Sequence, residues 1–222
     1  MPGSPEVPAG GTPGGHAPGT GALDAGAVLE LLAARVAGPA PGAGPRVVAV
    51  DGRSGSGKTH LAELLGARTG APVLHLDELY PGWDGLEAGV RLLEREVLVP
   101  LREGRAASPP RWDWAAGRRG PRVPVPVAPV LVVEGVGAGC TRVRPQLLVW
   151  VGAGERVRRQ RALQRDGEVF APHWHRWAAQ ERALFARCDA RAAADVVLSS
   201  DPPAAPPGGS AATGVRWRVL RG

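Results

Sequence analysis

Residues 52–59 read Gly-Arg-Ser-Gly-Ser-Gly-Lys-Thr, and this stretch decides the fold of the chain. It follows the apolar, β-branched run Arg46–Asp51, which is typical of a buried parallel strand. It leads into residues 59–66, where leucines recur at helical spacing and a glycine marks the expected helix end. Lys58 is the only lysine among 27 Lys and Arg residues, which indicates that arginine could not replace it.

The spacing G-x-x-x-x-G-K-[ST] is that of a phosphate-binding loop, or P-loop, and the strand before it and helix after it supply the required context. Lys58 would contact the β- and γ-phosphates of a nucleoside triphosphate, and the Thr59 hydroxyl would ligate Mg²⁺. The backbone expected to cradle the phosphates belongs to Gly52, Ser54, Gly55, Ser56 and Gly57. A chance glycine-rich turn is the alternative, since the chain holds 32 glycines.

The length of 222 residues predicts one domain with flanking segments. Residues 1–22 are mostly Gly, Pro, Ala and Thr, and we expect a disordered tail. Residues 23–200 form the predicted domain that contains the P-loop. Residues 201–222 begin as a Pro- and Gly-rich loop, and the alternating pattern near the end could form an edge strand.

Composition excludes several classes of protein. The net charge is +6, but the arginines are scattered without a recognition module, so we expect no nucleic acid partner. No apolar run approaches the ~20 residues that span a bilayer, and no secretory signal is visible, so we expect neither membrane contact nor export. Cys140 and Cys188 predict no disulfide framework; we interpret both as small buried thiols in a reducing cytoplasm.

Strand and helix patterns alternate along the rest of the chain. Further strands are predicted at 72–77, 130–134, 146–151 and 195–198. Helices are predicted at 23–36, 89–101, 155–166 and 172–191. This alternation predicts an α/β fold in three layers, with a mostly parallel five-stranded sheet flanked by helices and a short lid.

The second and third predicted strands each end in a carboxylate, at the sheet edge where such folds bind ligands. Asp77 follows the second strand and is the candidate that orients or deprotonates an acceptor hydroxyl. Glu134 ends the third and is the candidate near magnesium, through water. An ordinary turn-forming acid is the alternative for each.

Arginines at positions 158, 161 and 165 are spaced to share one helix face. Guanidinium groups in such a row can fold over a transferring phosphoryl group, where negative charge develops. Arg161 and Arg165 are the candidate catalytic pair. The alternative is a solvated basic face.

Aromatic residues cluster near the predicted acceptor side. Tyr80 lies three residues after Asp77, and Trp83 is close by. Trp112 follows later, with Arg119 nearby. These residues could stack on a ring and read its edge, and we predict Asp77, Tyr80, Trp112 and Arg119 as substrate-binding. Packing under a long loop is the alternative.

Together these segments resemble the uridine kinase-like branch of the P-loop small-molecule kinases. The resemblance rests on residues 50–59, 76–80, 111–114, 133–135 and 161–166. It implies the P-loop NTPase fold and transfer of phosphate from ATP·Mg²⁺ to a nucleoside 5′-hydroxyl. In this resemblance Asp77 matches the acceptor-side base, Glu134 the acid near magnesium, and Arg161 and Arg165 the lid arginines.

One segment departs from that resemblance. Residues 81–86 read Pro-Gly-Trp-Asp-Gly-Leu, unlike the Phe-, His- and Pro-containing segment of authentic uridine kinases. The donor, ATP with Mg²⁺, is therefore better supported than the acceptor. The remaining alternatives are a kinase for another small hydroxyl compound and an ATP-binding regulator that transfers no phosphate. The sequence predicts no oligomeric state.

Overall fold

A seven-stranded sheet forms the middle layer of the computed structural model, which describes residues 22–38, 42–202 and 217–222. The predicted tail lies outside the described residues except for Ala22, and so does the stretch 203–216. The sheet strands are β1 (Ala22–Leu23), β2 (Arg46–Asp51), β3 (Val73–His75), β6 (Val130–Glu134), β7 (Leu147–Gly152), β8 (Val196–Ser199) and β9 (Trp217–Arg221); a separate hairpin contains β4 (Pro110–Asp113) and β5 (Arg118–Arg122).

The strand order across the sheet is β1-β9-β8-β7-β2-β6-β3. The five strands from β8 to β3 are parallel, and β9 and β1 add to one end in antiparallel pairing. The predicted α/β fold with a mostly parallel five-stranded core is therefore confirmed. The sheet also includes β9, the C-terminal strand that the alternating pattern suggests, and β1, which the sequence does not indicate. The C-terminal strand does not form the edge, because β1 pairs along its other side.

Helices cover both faces of the sheet. They are α1 (Ala25–Val36), α2 (Lys58–Thr69), α3 (Leu86–Leu93), α4 (Val99–Arg102), α5 (Glu155–Phe170), α6 (Trp174–Cys188) and α7 (Ala190–Ala193). The Asp24 carboxylate caps α1 by accepting a hydrogen bond from Ala27 N at 2.8 Å. A left-handed residue, Gly167, kinks α5 one residue after the predicted end of that helix.

Two apolar cores result, one on each face. On one face α1 and α2 bury Leu32 and Leu61 against β2 and β7, and Trp217 of β9 closes this core. On the other, α3 and α6 bury Leu93 and Trp177 against the sheet. This division produces the predicted three layers.

The predicted helix 89–101 is longer than expected and changes its winding. A π-helical segment, Glu94–Leu98, joins α3 to α4, so the helical path continues through Pro100 to Arg102. Proline has no backbone N–H to donate, and in an α-helix its ring clashes with the carbonyl group four residues earlier. The wider π-helical turn before Pro100 accommodates the ring.

Residues 108–126, for which the sequence predicts neither a helix nor a strand, contain the β4–β5 hairpin. An ion pair between Arg111 of β4 and Glu78 fastens this hairpin beside the end of β3. The short β4 and β5 strands have no alternating apolar pattern, which is why sequence periodicity does not reveal them.

The interpretation of Cys140 and Cys188 as separate buried thiols is wrong. The two form a disulfide, with their Cα atoms 5.5 Å apart, and neither is fully buried. Cys140 follows β6 and Cys188 ends α6; they meet because α6 packs over that loop, which a separation of 48 residues does not indicate. The disulfide removes one argument for a reducing compartment, so the cytoplasm stays a prediction. In the described part of the chain, no helix is both long and apolar enough to cross a membrane.

Candidate active site

The P-loop joins the end of β2 to the start of α2, at the carboxyl edge of the parallel strands. At Gly55, φ is +78°, and a Cβ atom there would lie 2.1 Å from the Arg158 carbonyl oxygen. Glycine therefore lets α5 approach the loop closely. Lys58 is nearly buried, with 8% of its surface exposed, at the first position of α2.

A buried carboxylate on α6 holds the P-loop from the opposite side. Glu181 Oε1 accepts a hydrogen bond from Ser54 N at 2.8 Å, and Glu181 is 1% exposed. Its Oε2 atom lies 3.6 Å from Arg53 Nη1 and 4.0 Å from Arg158 Nη1. Two cations and one backbone donor thus compensate for the burial of this charge.

The three arginines of α5 that the sequence places on one face have different environments. Arg158 is buried and donates to the carbonyl oxygens of Ser54 and Ala153, both at 3.1 Å. Arg161 donates to Ser200 Oγ and O, at 2.9 and 2.8 Å. Arg165 pairs with the neighbouring Asp166 at 2.7 Å. Arg158 is thus a structural support of the P-loop rather than part of a solvated face.

Glu134 ends β6 directly beside His75 at the end of β3. Its Oε1 atom accepts a hydrogen bond from Thr59 Oγ1 at 3.1 Å and lies 2.8 Å from His75 Nδ1. Burial alone would raise the pKa of Glu134, but the His75 hydrogen bond and the Lys58 charge outweigh it and lower the pKa. The same hydrogen bond raises the pKa of His75.

The oxygen atoms around Glu134 fit a magnesium ion. Glu134 Oε2 is buried and has no hydrogen-bond partner among the described residues, and the Thr59 hydroxyl lies beside the same carboxylate. The described ranges contain no cluster of three or more His, Cys, Asp or Glu side chains that could hold a metal alone. Magnesium would therefore need phosphate oxygens and water as further ligands, which is its usual coordination in phosphoryl-transfer sites.

Asp77 follows β3, in the 3₁₀ turn Leu76–Leu79. No described residue donates a hydrogen bond to its carboxylate, which faces a cavity shared with Glu134. Desolvation, followed by the negative charge of Glu134, raises the pKa of Asp77. The charges of His75 and Lys58 oppose that shift. An unpaired carboxylate with a raised pKa is suited to accept a proton from a hydroxyl group.

A third carboxylate, Asp51, ties two loops together. It is fully buried and accepts hydrogen bonds from Gly52 N at 2.6 Å, Gly137 N at 2.8 Å and Gly139 N at 2.9 Å. Desolvation raises the pKa of Asp51 to about 6, although the three N–H donors oppose it. Asp51 therefore fixes the loop after β6 against the start of the P-loop.

Two cavities meet over the P-loop. One, of about 350 Å³, is lined by P-loop residues such as Gly55 and Gly57, and by Arg161 on α5. The other, of about 340 Å³, is lined by Asp77 and Glu134 on one side and by aromatic rings on the other. Lys58, Thr59 and Arg165 line both. We name them the donor cavity and the acceptor cavity.

The structure brings only part of the predicted substrate set to the acceptor cavity. Tyr80 lines it, with its hydroxyl donating to Val136 O at 2.8 Å. Trp112 and Arg119 pair with each other across the β4–β5 hairpin and are not part of the lining. Trp114 from the same hairpin takes that place, and its indole N–H donates to Asp77 O at 3.1 Å.

Sequence reasoning missed several residues of the site. The sequence predicts His75 only as part of a strand, although its position two residues before Asp77 could have suggested a role in the site. Asp51, immediately before the glycine loop, offered a similar signal. The sequence contains no such signal for Glu181 on α6, because the helix pattern does not show which polar side chain faces the protein interior. The inward positions of Phe170 and Trp177 were equally hidden among packing residues.

Comparison with known proteins adds evidence about the fold. No family model and no curated protein matches the chain. Among solved structures, a possible uridine kinase from Bacillus stearothermophilus is 19% identical, with a TM-score of 0.55 over 76% of this chain and 96% of that one. A proposed fructose transport system kinase from Silicibacter sp. TM1040 is 21% identical, with a TM-score of 0.52 over 78% and 95%. These two similarities concern the fold alone, and they confirm the predicted three-layer α/β fold of P-loop NTPases with a mostly parallel sheet.

Proposed function

We propose that the protein is an ATP-dependent kinase that transfers the γ-phosphoryl group of Mg-ATP to a hydroxyl group of a small molecule. The observation that carries this proposal is the meeting of two cavities at Lys58, Thr59 and Arg165. A nucleotide-binding switch needs only the donor cavity. A phosphotransferase also needs a second cavity that begins where the γ-phosphate would lie.

The donor cavity has the groups that bind a triphosphate. The N–H groups of Gly52, Ser54 and Ser56 already donate within the protein, so the phosphates would be surrounded by the N–H groups of Gly55 and Gly57 and by the N-terminus of α2. Lys58 would neutralise the phosphate charge. Arg161 lies on the other side of this cavity, and Arg165 lies between it and the acceptor cavity. Thr59 and Glu134 would hold Mg²⁺, which when bound neutralises charge on the β- and γ-phosphates.

Asp77 is the proposed base for the acceptor. The acceptor oxygen attacks the γ-phosphorus, and the bond from that phosphorus to the β,γ-bridging oxygen breaks, which releases ADP. The hydroxyl proton passes to the Asp77 carboxylate and then to water. Arg165 and Lys58 stabilise the charge that develops on the transferring group.

Two observations favour a nucleoside acceptor. The sequence resemblance implies one, and a structure with the same fold is described as a possible uridine kinase. Another structure with this fold is described as a fructose transport system kinase, so the fold does not select the acceptor.

The test is a coupled assay of ATP consumption with a panel of nucleosides, sugars and other alcohols, using the wild type and the Lys58→Ala and Asp77→Asn variants. We expect at least one alcohol to stimulate ADP release in the wild type and in neither variant. ATP binding that requires Lys58, without phosphorylation of any alcohol, would contradict the proposal and favour a nucleotide-binding regulator.

A further inference from the structure

A third cavity lies beside the P-loop, between α6 and the carboxyl ends of β7 and β8. Its volume is about 620 Å³, which is within the usual range for a small-molecule site. Among the described residues, none that lines this cavity also lines the donor cavity or the acceptor cavity. We name it the rear cavity.

The lining of the rear cavity is rich in arginine, with Arg53 of the P-loop, Arg158 of α5, Arg182 of α6 and Arg191 of α7. Arg158 is occupied, since it donates to two backbone carbonyl oxygens. The side chains of Arg182 and Arg191 are exposed, and within the described part of the chain they have neither an ion pair nor a hydrogen bond. Because no partner restrains these two long side chains, their guanidinium groups can turn toward an anion in the cavity.

Two carboxylates also line the rear cavity, and both already accept hydrogen bonds. Asp189 Oδ1 accepts from Ala192 N at 3.2 Å, at the start of α7. Asp201 Oδ1 accepts from Gly154 N at 2.7 Å. The four arginines outnumber these two aspartates and the neighbouring Glu181 together, so the lining keeps a positive charge. An anionic ligand is therefore favoured over a neutral or cationic one.

An apolar surface completes the lining of the rear cavity. Trp150 of β7 and Phe185 of α6 contact each other edge to face, with ring centroids 4.9 Å apart. Leu198 and Leu220 line the same cavity. Arg53 Cζ lies 5.4 Å from the centroid of the Phe185 ring, so a positive charge lies directly beside this surface. A ligand that carried charge alone would leave the apolar surface in contact with water.

We propose that the rear cavity binds a small dianion that carries an aromatic ring, such as a phosphate monoester of a ring alcohol. The two unpaired guanidinium groups match two negative charges, because guanidinium and phosphate form short, charge-assisted hydrogen bonds. The surface of Trp150 and Phe185 matches the ring. This site goes beyond the proposed kinase function, since neither the phosphoryl donor nor its acceptor would occupy it.

Arg53 connects the rear cavity to the proposed ATP site. It belongs to the P-loop, and its Nη1 atom lies 3.6 Å from the Oε2 atom of Glu181, whose Oε1 atom accepts from Ser54 N. A dianion in the rear cavity would place negative charge on the other side of the loop that is proposed to hold the triphosphate. The two anions repel each other, so each should weaken the binding of the other by about fivefold, the lower end of usual coupling between sites.

Calorimetry with three probes tests the ligand class, in the presence of Mg²⁺ and a saturating non-hydrolysable ATP analogue that keeps the probes out of the P-loop. Phenyl phosphate carries both the ring and two charges, inorganic phosphate lacks the ring, and benzoate lacks the second charge. We expect phenyl phosphate to bind about tenfold or more tightly than either of the others. Affinities within about twofold of one another, or no binding of phenyl phosphate, would overturn the inference.

Two double variants test where the probe binds. Arg182→Gln with Arg191→Gln removes both unpaired guanidinium groups, and we expect affinity for phenyl phosphate to fall about tenfold or more. Arg156→Gln with Arg159→Gln is the matched control, because it removes two exposed arginines of α5 that do not line the rear cavity. The control should bind like the wild type. An equal loss in both variants would show that net charge alone attracts the probe and would contradict the inference, as would unchanged affinity in the first variant.

Titration of the ATP analogue at increasing phenyl phosphate separates the rear cavity from competition at the P-loop. With two sites, the apparent Kd of the analogue should rise about fivefold and then level off. A Kd that rises in proportion to the probe without levelling off would place the probe in the P-loop and overturn the inference, and an unchanged Kd would contradict the coupling through Arg53.

The two proposals can fail separately. Binding of phenyl phosphate that requires Arg182 and Arg191, in a protein that phosphorylates no alcohol, would support the rear site and contradict the kinase function. Phosphorylation of an alcohol, without binding of phenyl phosphate that requires these two arginines, would support the kinase function and overturn the rear site.

Discussion

The donor and acceptor cavities meet at the same lysine but are built in different ways. The donor cavity is lined by Gly55, by residues 57–60, by Glu63 and by one face of α5. The acceptor cavity gathers side chains from the P-loop, the turn after β3, the β4–β5 hairpin, α5 and α6. Most of the lining of the donor cavity comes from one short segment of the chain, whereas aromatic side chains from several segments form one side of the acceptor cavity. A local motif can therefore specify phosphate binding, whereas acceptor selection depends on tertiary packing.

The largest effect should come from the acceptor side. Asp77→Asn keeps the shape of the side chain but removes the base, and we expect kcat to fall about 10²- to 10⁴-fold. The KM for ATP should change less than about twofold, because Asp77 does not line the donor cavity. Steady-state kinetics with both substrates varied would measure the two effects. A parallel rise in the KM for ATP would show that the two cavities are not separable in function.

Lys58→Arg should be nearly as damaging, although it keeps the positive charge. Lys58 is 8% exposed, and a guanidinium group is too broad for a compact site against the phosphates. We expect kcat/KM to fall about 10²- to 10³-fold. Arg118→Lys, on the exposed face of the hairpin, is the control and should keep full activity. Activity of Lys58→Arg within twofold of wild type would mean that only charge matters at this position.

The support of the P-loop can be tested through stability. Glu181→Ala removes the hydrogen-bond acceptor of Ser54 N and leaves Arg53 and Arg158 without the buried carboxylate that compensates their charges. We expect the free energy of unfolding to decrease by about 3–5 kcal/mol, with a higher KM for ATP. Chemical denaturation would measure the first and kinetics the second. If the KM for the acceptor rose while the KM for ATP did not, Glu181 would support the acceptor cavity and not the donor cavity.

A smaller effect should appear in the pH dependence of stability. The Glu134 hydrogen bond raises the pKa of His75 above its unfolded value of about 6.5. The stabilisation from protonated His75 is therefore complete below about pH 6.5 and is lost as pH rises through the folded pKa. His75→Gln should lack this dependence. Denaturation midpoints of the wild type and of His75→Gln between pH 5 and 9 would test this expectation. Parallel pH curves for the two proteins would contradict an ion pair between His75 and Glu134.

The sequence predicted the central sheet and the local phosphate loop because both follow from short, regular patterns. Residues 52–59 and the apolar runs before each strand end need no distant partner to be recognised. The β4–β5 hairpin, the Cys140–Cys188 disulfide and the inward turn of Trp177 depend on contacts between distant segments. The same limit explains why Trp112 was chosen for the site while its neighbour Trp114 lines the cavity.

The most direct test of the central claim is a crystal structure with Mg²⁺ and a non-hydrolysable ATP analogue. The account predicts a triphosphate bound along residues 52–59, with its γ-phosphate between Lys58 and Arg165 and facing Asp77 across the acceptor cavity. A magnesium ion should lie beside Thr59 and Glu134. A nucleotide whose γ-phosphate is directed away from the acceptor cavity, or that binds elsewhere on the protein, would contradict the assignment of the two cavities.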